Sequence, residues 1–248
     1  MLSASPPATI TANVAVTLSG KPHTVSITVP AGKTRLDHLL PVFHALASTI
    51  VDRAEAEEAA AGRTVSCRAG CGACCRQPVP VSPSEARGLA ALVAAMPEPR
   101  RGAVRRRFAA AQAALAAAGV ETRPEAIARL APGERRPWGQ AYFTKQVACP
   151  FLDAESCSIH RDRPAVCREY LVTTPAANCD APTAEMVRRV PLPAQVSAAV
   201  AATDLERGHG LLLLVDSLDW AAVNPAPPPR DAGLALVRAV FARLAAQV

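Results

Sequence analysis

The sequence contains few aromatic side chains and many small ones. Its 248 residues include 2 Trp, 2 Tyr and 5 Phe, whereas 53 are alanine. Small side chains bury less apolar area each, so at roughly 25 cal/mol per Å² an alanine-rich core gains less free energy per residue than an average core. We therefore expect another interaction, beyond apolar packing, to hold the fold together.

Long apolar runs are also missing. The longest, such as Leu211–Val215, fall far short of the ~20 residues that a membrane-spanning helix needs. The chain does not open with a positively charged start followed by an apolar run, which is the pattern of an export signal. These absences predict a soluble, cytoplasmic protein with no membrane partner.

Lysine is scarce, because only three of the 27 basic residues are lysine, although the formal net charge is +6. An excess of arginine beside alanine and proline is typical of GC-rich coding, so the charge alone does not indicate nucleic-acid binding. Five arginines stand together between residues 100 and 107. Since Phe108 is the only aromatic residue beside them, a solvated helix face is favoured over a nucleic-acid surface.

Two segments near the N-terminus alternate apolar and polar residues. Residues 12–18 and 23–29 do so on either side of Ser19-Gly20-Lys21-Pro22, which is a turn-forming sequence. This pattern is typical of a half-buried β-hairpin.

Helical spacing begins at Thr34, and Pro41 should end or kink the first part of that helix. A second helix is predicted to start at Ser82, which caps it, with Pro83 in the first helical position. Further helices are predicted at 101–118, 124–130, 193–207 and 231–246. Residues 211–220 fit either a helix or a strand, and a helix is favoured.

Two segments lack a clear period. Residues 135–147 carry Trp138, Tyr142 and Phe143, which we interpret as core residues, and residues 148–182 hold four cysteines. Neither an internal repeat nor a linker long enough for two independent domains is present. The predicted fold is mostly α: a single helical cysteine-cluster domain (33–248) with an N-terminal β-hairpin extension (1–32) and an irregular, metal-stapled cysteine-rich region.

The eight cysteines are the most informative feature of the chain. A reducing cytosol disfavours structural disulfides, so a cysteine-rich segment there favours metal ligation or redox work. The first cluster comprises Cys67, Cys71, Cys74 and Cys75, with Gly70 and Gly72 beside them. The second cluster comprises Cys149, Cys157, Cys167 and Cys179. The chain thus offers two sets of four thiols.

The thiol spacings suit a metal centre. Gaps of two or three residues let successive thiolates converge on one ion at ~2.3 Å, as in zinc and iron–sulfur sites. Cys74 and Cys75 are adjacent, so one faces the centre while the other serves a second metal, a redox step or neither.

Pro164 should start a short helix with Cys167 in its first turn. There the helix dipole, Arg163 and Arg168 favour the thiolate and offset the negative charge of a zinc–thiolate centre.

These residues resemble the YkgJ-like cysteine-cluster family, whose members are described as zinc- or iron-chelating domains. The resemblance is carried by Cys67-x3-Cys71-x2-Cys74-Cys75 and by the series Cys-Pro-Phe-Leu, Cys-Ser-Ile-His and Arg-Pro-x-x-Cys-Arg between residues 149 and 168. It implies a ligand pool for zinc or iron, the latter singly or as a [4Fe-4S] cluster, formed by Cys67, Cys71, Cys74, Cys75, Cys149, Cys157, Cys167 and Cys179. Relatives with this pattern include flagellin lysine methylases, which implies an iron–sulfur centre used in methyl transfer in some members.

Other interpretations of the cysteines stay open. The first cluster also fits the C-x3-C-x2-C spacing of radical S-adenosylmethionine enzymes, although these usually follow a barrel strand and place an aromatic residue where Ala73 stands. A disulfide framework would need an oxidising compartment. A purely structural zinc site is the plainest alternative, since bound zinc can contribute on the order of 10 kcal/mol to folding.

The five histidines add little to the ligand pool. His160 lies inside the second cluster and could replace a thiolate, but the family often has tyrosine there, so packing or a contact outside the metal shell is favoured. The remaining histidines show no ligand spacing: His23, His38, His44 and His209.

We therefore predict a metal-binding protein in which two clusters, distant in sequence, come together around one or two zinc- or iron-containing centres. The alternative function is an iron–sulfur enzyme that supports redox chemistry or methyl transfer. A metal ion is the predicted partner, and the sequence identifies no catalytic residue or substrate.

Overall fold

The computed structural model describes residues 8–18, 21–180, 186–205 and 210–247. Helices dominate these residues, as the sequence predicts. They are α1 (Leu40–Ala60), α2 (Pro83–Ala94), α3 (Arg100–Ala117), α4 (Pro124–Arg129), α5 (Pro132–Thr144), α6 (Ala165–Arg168), α7 (Val196–Leu205), α8 (Ser217–Val223) and α9 (Gly233–Ala245). Within the described ranges, every helix is too short or too polar to span a lipid bilayer.

The predicted N-terminal strand pair is confirmed. Strands β1 (Thr9–Leu18) and β2 (Lys21–Pro30) pair antiparallel, with Ile10 opposite Val29, while residues 19–20 of the turn lie outside the described residues. The other strands are two residues long and also pair antiparallel. They are β3 (Lys33–Thr34) with β8 (Asp231–Ala232), β4 (Pro80–Val81) with β7 (Leu212–Leu213), and β5 (Leu152–Asp153) with β6 (Ser156–Cys157).

Helix α1 begins where the sequence predicts a break. Residues Leu36–Leu39 form a 3-10 turn, and α1 then starts at Leu40 with Pro41 in its first turn. Proline is tolerated there because its missing N–H would have no partner within the helix. Pro41 therefore marks the change from a 3-10 turn to an α-helix rather than a kink inside one helix.

Ser82 and Glu85 form a capping box at the start of α2, as the sequence predicts for Ser82. The Ser82 hydroxyl accepts a hydrogen bond from the Glu85 N–H at 3.2 Å, and Glu85 Oε2 accepts one from the Ser82 N–H at 3.0 Å. Glu85 Oε1 accepts a third from the N–H of Ala165 at 3.0 Å. The cap of α2 therefore also anchors α6, which carries Cys167.

The first core lies between α1, α7, α9 and the N-terminal strand pair. Its buried members include Phe43 on α1, Val200 on α7 and Val237 on α9, together with Ile27 and Val29 from β2. The hairpin therefore packs directly on the helices.

The second core lies between α2, α3 and the second cysteine cluster. The rings of Phe108 on α3 and Phe151 meet edge to face, with centroids 5.2 Å apart. Phe151 is buried two residues after Cys149, and Ile159 is buried two residues after Cys157. Apolar residues beside the cysteines therefore fix the second cluster on this core.

The secondary structure of two segments differs from what their sequence predicts. Residues 135–147, which lack a clear period, lie largely in α5 despite Pro137 inside that helix. Their predicted core role is confirmed for Tyr142, which is buried, and for Trp138, which packs against the same cluster. The segment 211–220 is only partly helical, since β7 and a 3-10 turn precede α8.

Gly233, at the start of α9, stands against the hairpin. A Cβ there would lie 2.6 Å from the Pro30 carbonyl oxygen and 3.2 Å from the Val29 side chain. Gly233→Ala should therefore push the hairpin from α9 and lower the free energy of unfolding by about 1–3 kcal/mol, the usual cost of overpacking. Gly139→Ala in α5, where the new methyl group has room, should be neutral or stabilising by about 0.5–1 kcal/mol. Urea unfolding measures both changes, and an equal loss in the two variants would contradict this reasoning.

Candidate metal centre

The first cluster lies on an irregular loop that follows α1. Gly70 has a left-handed backbone with φ +83°, which turns the chain just before Cys71. Residues Ala73–Arg76 then form a 3-10 turn, in which the Cys75 N–H donates a hydrogen bond to the Gly72 carbonyl at 2.9 Å. Tight turns therefore gather these thiols in one short loop.

The second cluster is spread over short elements. Cys149 precedes the β5–β6 hairpin, and Cys157 ends β6. Helix α6 begins directly after Pro164, as predicted, and contains Cys167. Cys179 is the last residue of a 3-10 turn. The described part of the predicted irregular region, residues 148–180, is built from such short pieces.

Backbone and side-chain contacts join the two clusters. The Cys149 N–H donates a hydrogen bond to the Cys75 carbonyl at 2.7 Å. The Arg76 guanidinium binds both oxygens of the Glu155 carboxylate, at 2.7 and 3.0 Å, and also the Gly72 carbonyl at 3.0 Å. The loop of the first cluster is thereby held against the turn of the β5–β6 hairpin.

A second set of contacts brings the end of the second cluster to the start of the first. Cys179 is buried beside Ala73 and Val172, and Cys71 packs against the same small apolar group. The Ser66 N–H donates a hydrogen bond to the Val172 carbonyl at 2.9 Å. Cys179 is therefore placed with first-cluster residues.

Cys74 lies in the middle of the thiols. Its side chain shares a hydrogen bond with the Cys75 thiol. Five more thiols, from both clusters, lie within electrostatic range of Cys74: Cys67, Cys149, Cys157, Cys167 and Cys179. Thiols from both clusters therefore surround this one cysteine.

The thiols around Cys74 fall into two groups. One group, the 67/71/179 group, consists of Cys67, Cys71 and Cys179, which lie within electrostatic range of one another. The other, the 149/157/167 group, consists of Cys149, Cys157 and Cys167, and Cys75 lies within range of Cys149 and Cys167. The first of these groups draws members from both clusters.

Burial makes most of these thiols poor acids. Burial, with nearby thiolates adding to it, raises the pKa of Cys149 to about 12 and that of Cys179 to about 11. The hydrogen bond between the adjacent cysteines lowers the pKa of Cys74 to about 7, with help from Arg163, and raises the pKa of Cys75. Thiolates crowded in a partly buried site repel one another, and a bound cation removes that cost.

Arginines surround the second cluster, as its sequence predicts. The positive charge of Arg163 acts on both Cys74 and Cys157. The Arg168 guanidinium is buried, where it donates hydrogen bonds to the Arg163 and Arg161 carbonyls. Arg168 also lies within electrostatic range of Cys157 and Cys167, so both arginines act on the thiols, and Arg168 shapes the loop as well.

Two arginines of α3 also reach the second cluster. Arg100 donates a hydrogen bond to the Ser158 carbonyl at 2.7 Å, and Arg107 donates one to the Leu152 carbonyl at 3.1 Å. Both carbonyls lie on the segment that carries Cys157. Arg100 is exposed and Arg107 half-buried, as a solvated helix face predicts, and both also hold this segment against α3.

The donor set fits a metal bound by thiolates. Sulfur ligands suit zinc and iron–sulfur centres, which take four each, and all eight cysteines are free. Among the described residues, no group of three or more His, Cys, Asp or Glu side chains is placed so that it could hold a metal ion. Arg163 Nε is buried there without a hydrogen-bond partner, and sulfur bearing negative charge at Cys74 or Cys157 would supply one.

The histidines stand apart from this arrangement. His160 is exposed, so packing is the wrong one of its two predicted roles, and a contact outside the metal shell stays a prediction; the nearby Arg163 lowers the pKa of His160. His38 lies beside Arg35 near the start of α1, and His44 lines a cavity between α1 and α2. The His23 side chain and His209 lie outside the described residues.

Comparison with known proteins bears on the cysteines. Residues 66–186 match the family model CxxCxxCC, described as a putative zinc- or iron-chelating domain. No curated protein and no solved structure matches the chain. The matched range contains both clusters, so the resemblance stated from the sequence is confirmed. The chain is therefore similar to the CxxCxxCC family over 121 of its 248 residues, a stretch that holds all eight cysteines.

Proposed function

We propose that the two cysteine clusters converge on one or two zinc- or iron-containing centres and that chelating this metal is the function of the protein. The observation that carries the proposal is the position of Cys74, which has six thiols of both clusters in range. A centre formed there would draw its ligands from segments far apart in the chain. It would staple an alanine-rich fold whose apolar core is thin.

The grouping of the thiols favours two centres. The 67/71/179 group and the 149/157/167 group each lack one thiol of the four that zinc or an iron–sulfur cluster takes. Cys74 can complete the former, and Cys75, whose carbonyl already accepts the Cys149 N–H, can complete the latter. All eight cysteines then serve as ligands, and adjacency of Cys74 and Cys75 sets the two centres side by side.

The hairpin extension (1–32) supplies no cysteine to these centres. We therefore place the chelating function in the helical cysteine-cluster domain (33–248), with β2 contributing Ile27 and Val29 to its first core. A reducing, cytoplasmic setting would keep all eight thiols available. Zinc would supply a structural staple there, whereas an iron–sulfur cluster would supply electron transfer.

Metal analysis tests the proposal directly. The untagged chain is purified anaerobically, and one sample is analysed for zinc, iron and acid-labile sulfide together with its ultraviolet–visible spectrum. Colourless protein with stoichiometric zinc would support a chelating or structural centre, and brown protein with iron and sulfide would support the iron–sulfur enzyme. Protein without either metal, after reconstitution as well, would overturn the proposal.

Arg163 should strengthen metal binding because its positive charge acts on Cys74 and Cys157 and its buried Nε–H lacks a partner. Arg163→Gln should weaken the metal affinity about 10–100-fold, the usual cost of losing a group just outside the ligand shell. Arg161→Gln removes the same charge from an exposed neighbouring side chain and should leave the affinity unchanged. Competition with a chromophoric chelator measures both, and equal losses would assign the effect to net charge alone.

A further inference from the structure

The turn of the β5–β6 hairpin has a strained backbone. Its two central residues, Ala154 and Glu155, both have left-handed backbones, with φ +46° and +56°. Two-residue hairpins of this kind favour Asn and Gly, because the Cβ of other residues comes too close to the backbone. Such residues keep a strained conformation only where the surrounding structure holds them in it. The turn therefore depends on its contacts with other segments.

The contact that holds this turn is the ion pair between Arg76 and Glu155. The Arg76 guanidinium donates hydrogen bonds to both carboxylate oxygens, at 2.7 and 3.0 Å, and a third to the Gly72 carbonyl at 3.0 Å. Gly72 leaves the space that the carboxylate occupies, since a Cβ there would overlap Glu155 Oε2. The first-cluster loop and the strained turn therefore fit each other in both charge and shape.

The Arg76–Glu155 pair lies close in sequence to two thiols that we assign to the same centre. Arg76 directly follows Cys75, and Glu155 lies two residues before Cys157. A thiolate that leaves a metal ion binds it again quickly while its segment is held nearby, because its effective concentration stays high. Escape of the metal would therefore require the two segments to separate.

We propose that the Arg76–Glu155 pair controls the rate at which the bound metal is released, an inference that rests on the chelating function proposed above. Arg76 and Glu155 act as positioning residues, because they hold the segments of Cys75 and Cys157 together and supply no sulfur ligand. Their side chains are 23% and 51% exposed, so salt ions reach the pair and weaken it. When the pair breaks, strain in the turn favours its movement away from the first-cluster loop. Metal release should therefore be faster at higher ionic strength.

Zinc release from the full chain loaded with Zn²⁺ tests the proposal. The zinc content is measured first, and the protein is then mixed with excess chromophoric chelator in a stopped-flow instrument at low ionic strength. Glu155→Ala should release zinc about threefold to fivefold faster, the upper end of what an exposed ion pair contributes. The matched control is Glu121→Ala, which removes a carboxylate that binds Arg123 through both oxygens. It should leave the release rate unchanged.

Three comparisons separate this positioning role from general destabilisation. In an Arg76→Gln background, Glu155→Ala should cause no further acceleration, because the pair is already broken. Addition of Ala154→Gly to Glu155→Ala should slow the release again, since glycine adopts the left-handed backbone without strain. Sodium chloride should accelerate release from the wild type more than from Glu155→Ala.

Equal release rates from the wild type and Glu155→Ala would overturn the proposal, as would an equal acceleration in Glu121→Ala. Additive effects of Arg76→Gln and Glu155→Ala would also overturn it, because two residues that act as a pair cannot contribute independently. The zinc content before mixing distinguishes these results from failure of the proposed function. A chain that takes up no zinc counts against chelation, whereas equal rates from fully loaded variants count against the positioning role alone.

Discussion

Cys71→Ser and Cys179→Ser should each abolish binding of one and the same metal ion, although they lie in different clusters and 108 residues apart in the chain. Both cysteines pack against the same apolar group around Ala73 and belong to the 67/71/179 group. The double variant should therefore lose no more metal than either single variant. Cys157→Ser, in the other group, should remove a different ion, so its loss should add to that of Cys71→Ser.

The loss of metal should also destabilise the fold. Structural zinc contributes on the order of 10 kcal/mol to the folding free energy of small domains. Loss of a residue just outside the ligand shell lowers metal affinity about 10–100-fold, and loss of a ligand should lower it further. We expect the free energy of unfolding to fall by several kcal/mol, which for a chain of this size lowers the Tm by about 2–4 °C per kcal/mol. Elemental analysis and calorimetry on the same preparations measure both effects.

The control for these variants is Ser66→Ala, which changes a side chain beside the first cluster without removing a thiol. It should keep both its metal content and its Tm. Full metal content in Cys179→Ser, or additive losses from Cys71→Ser and Cys179→Ser, would refute a centre shared between the clusters. Loss of all metal in every single variant would instead show one centre and would refute the division into two groups.

Features set by neighbouring residues could be predicted from the sequence. The capping box of Ser82 and Glu85, the alternation in β1 and β2, and Pro164 before α6 each depend on signals within a few positions. Local geometry forms the same way wherever the segment lies in the fold. For this reason the starts of α2 and α6 and the two cysteine clusters are visible in the sequence itself.

Contacts between distant segments could not be predicted, because no local sequence pattern marks them. Nothing near Arg76 indicates that Glu155, 79 residues later, is its partner. The spacing in the sequence would group Cys179 with Cys167, whereas in the structure Cys179 lies in the same apolar group as Cys71. These pairings follow from how α1, α3 and the β5–β6 hairpin pack, and packing is decided by the whole chain. The resemblance to a family identified the thiols but not their grouping.

His44 and Glu85 should give the stability of the protein two opposite pH dependences in the same pH range. Burial raises the pKa of Glu85 from its usual 4.5 to about 7 and lowers that of His44 from 6.5 to about 4. The Glu85 contribution is present below about pH 4.5 and is lost as the pH rises through about 7. The His44 contribution is present above about pH 6.5 and is lost as the pH falls through about 4. In the wild-type protein the two terms largely cancel.

Single substitutions should reveal the separate contributions of His44 and Glu85 to the pH dependence of the free energy of unfolding. Each shift corresponds to about 3 kcal/mol, at 1.36 kcal/mol per pKa unit. Relative to wild type, His44→Gln should become more stable by up to that amount between pH 7 and pH 4.5. Glu85→Gln should become less stable by a similar amount over the same range, on top of a constant cost for its altered hydrogen bonds. Urea unfolding in phosphate and acetate buffers measures both differences.

The free energy of unfolding of each variant is compared with that of the wild type at the same pH, because acid also protonates the cysteine ligands and releases metal in every variant. That effect cancels in the difference as long as each sample starts with the same metal content. Asp52→Asn, on an exposed position of α1, controls for the loss of one carboxylate. Two pH slopes of the same sign for His44→Gln and Glu85→Gln would be incompatible with a buried neutral imidazole beside a buried carboxyl group. Slopes of opposite sign would show that burial favours the neutral form of both groups.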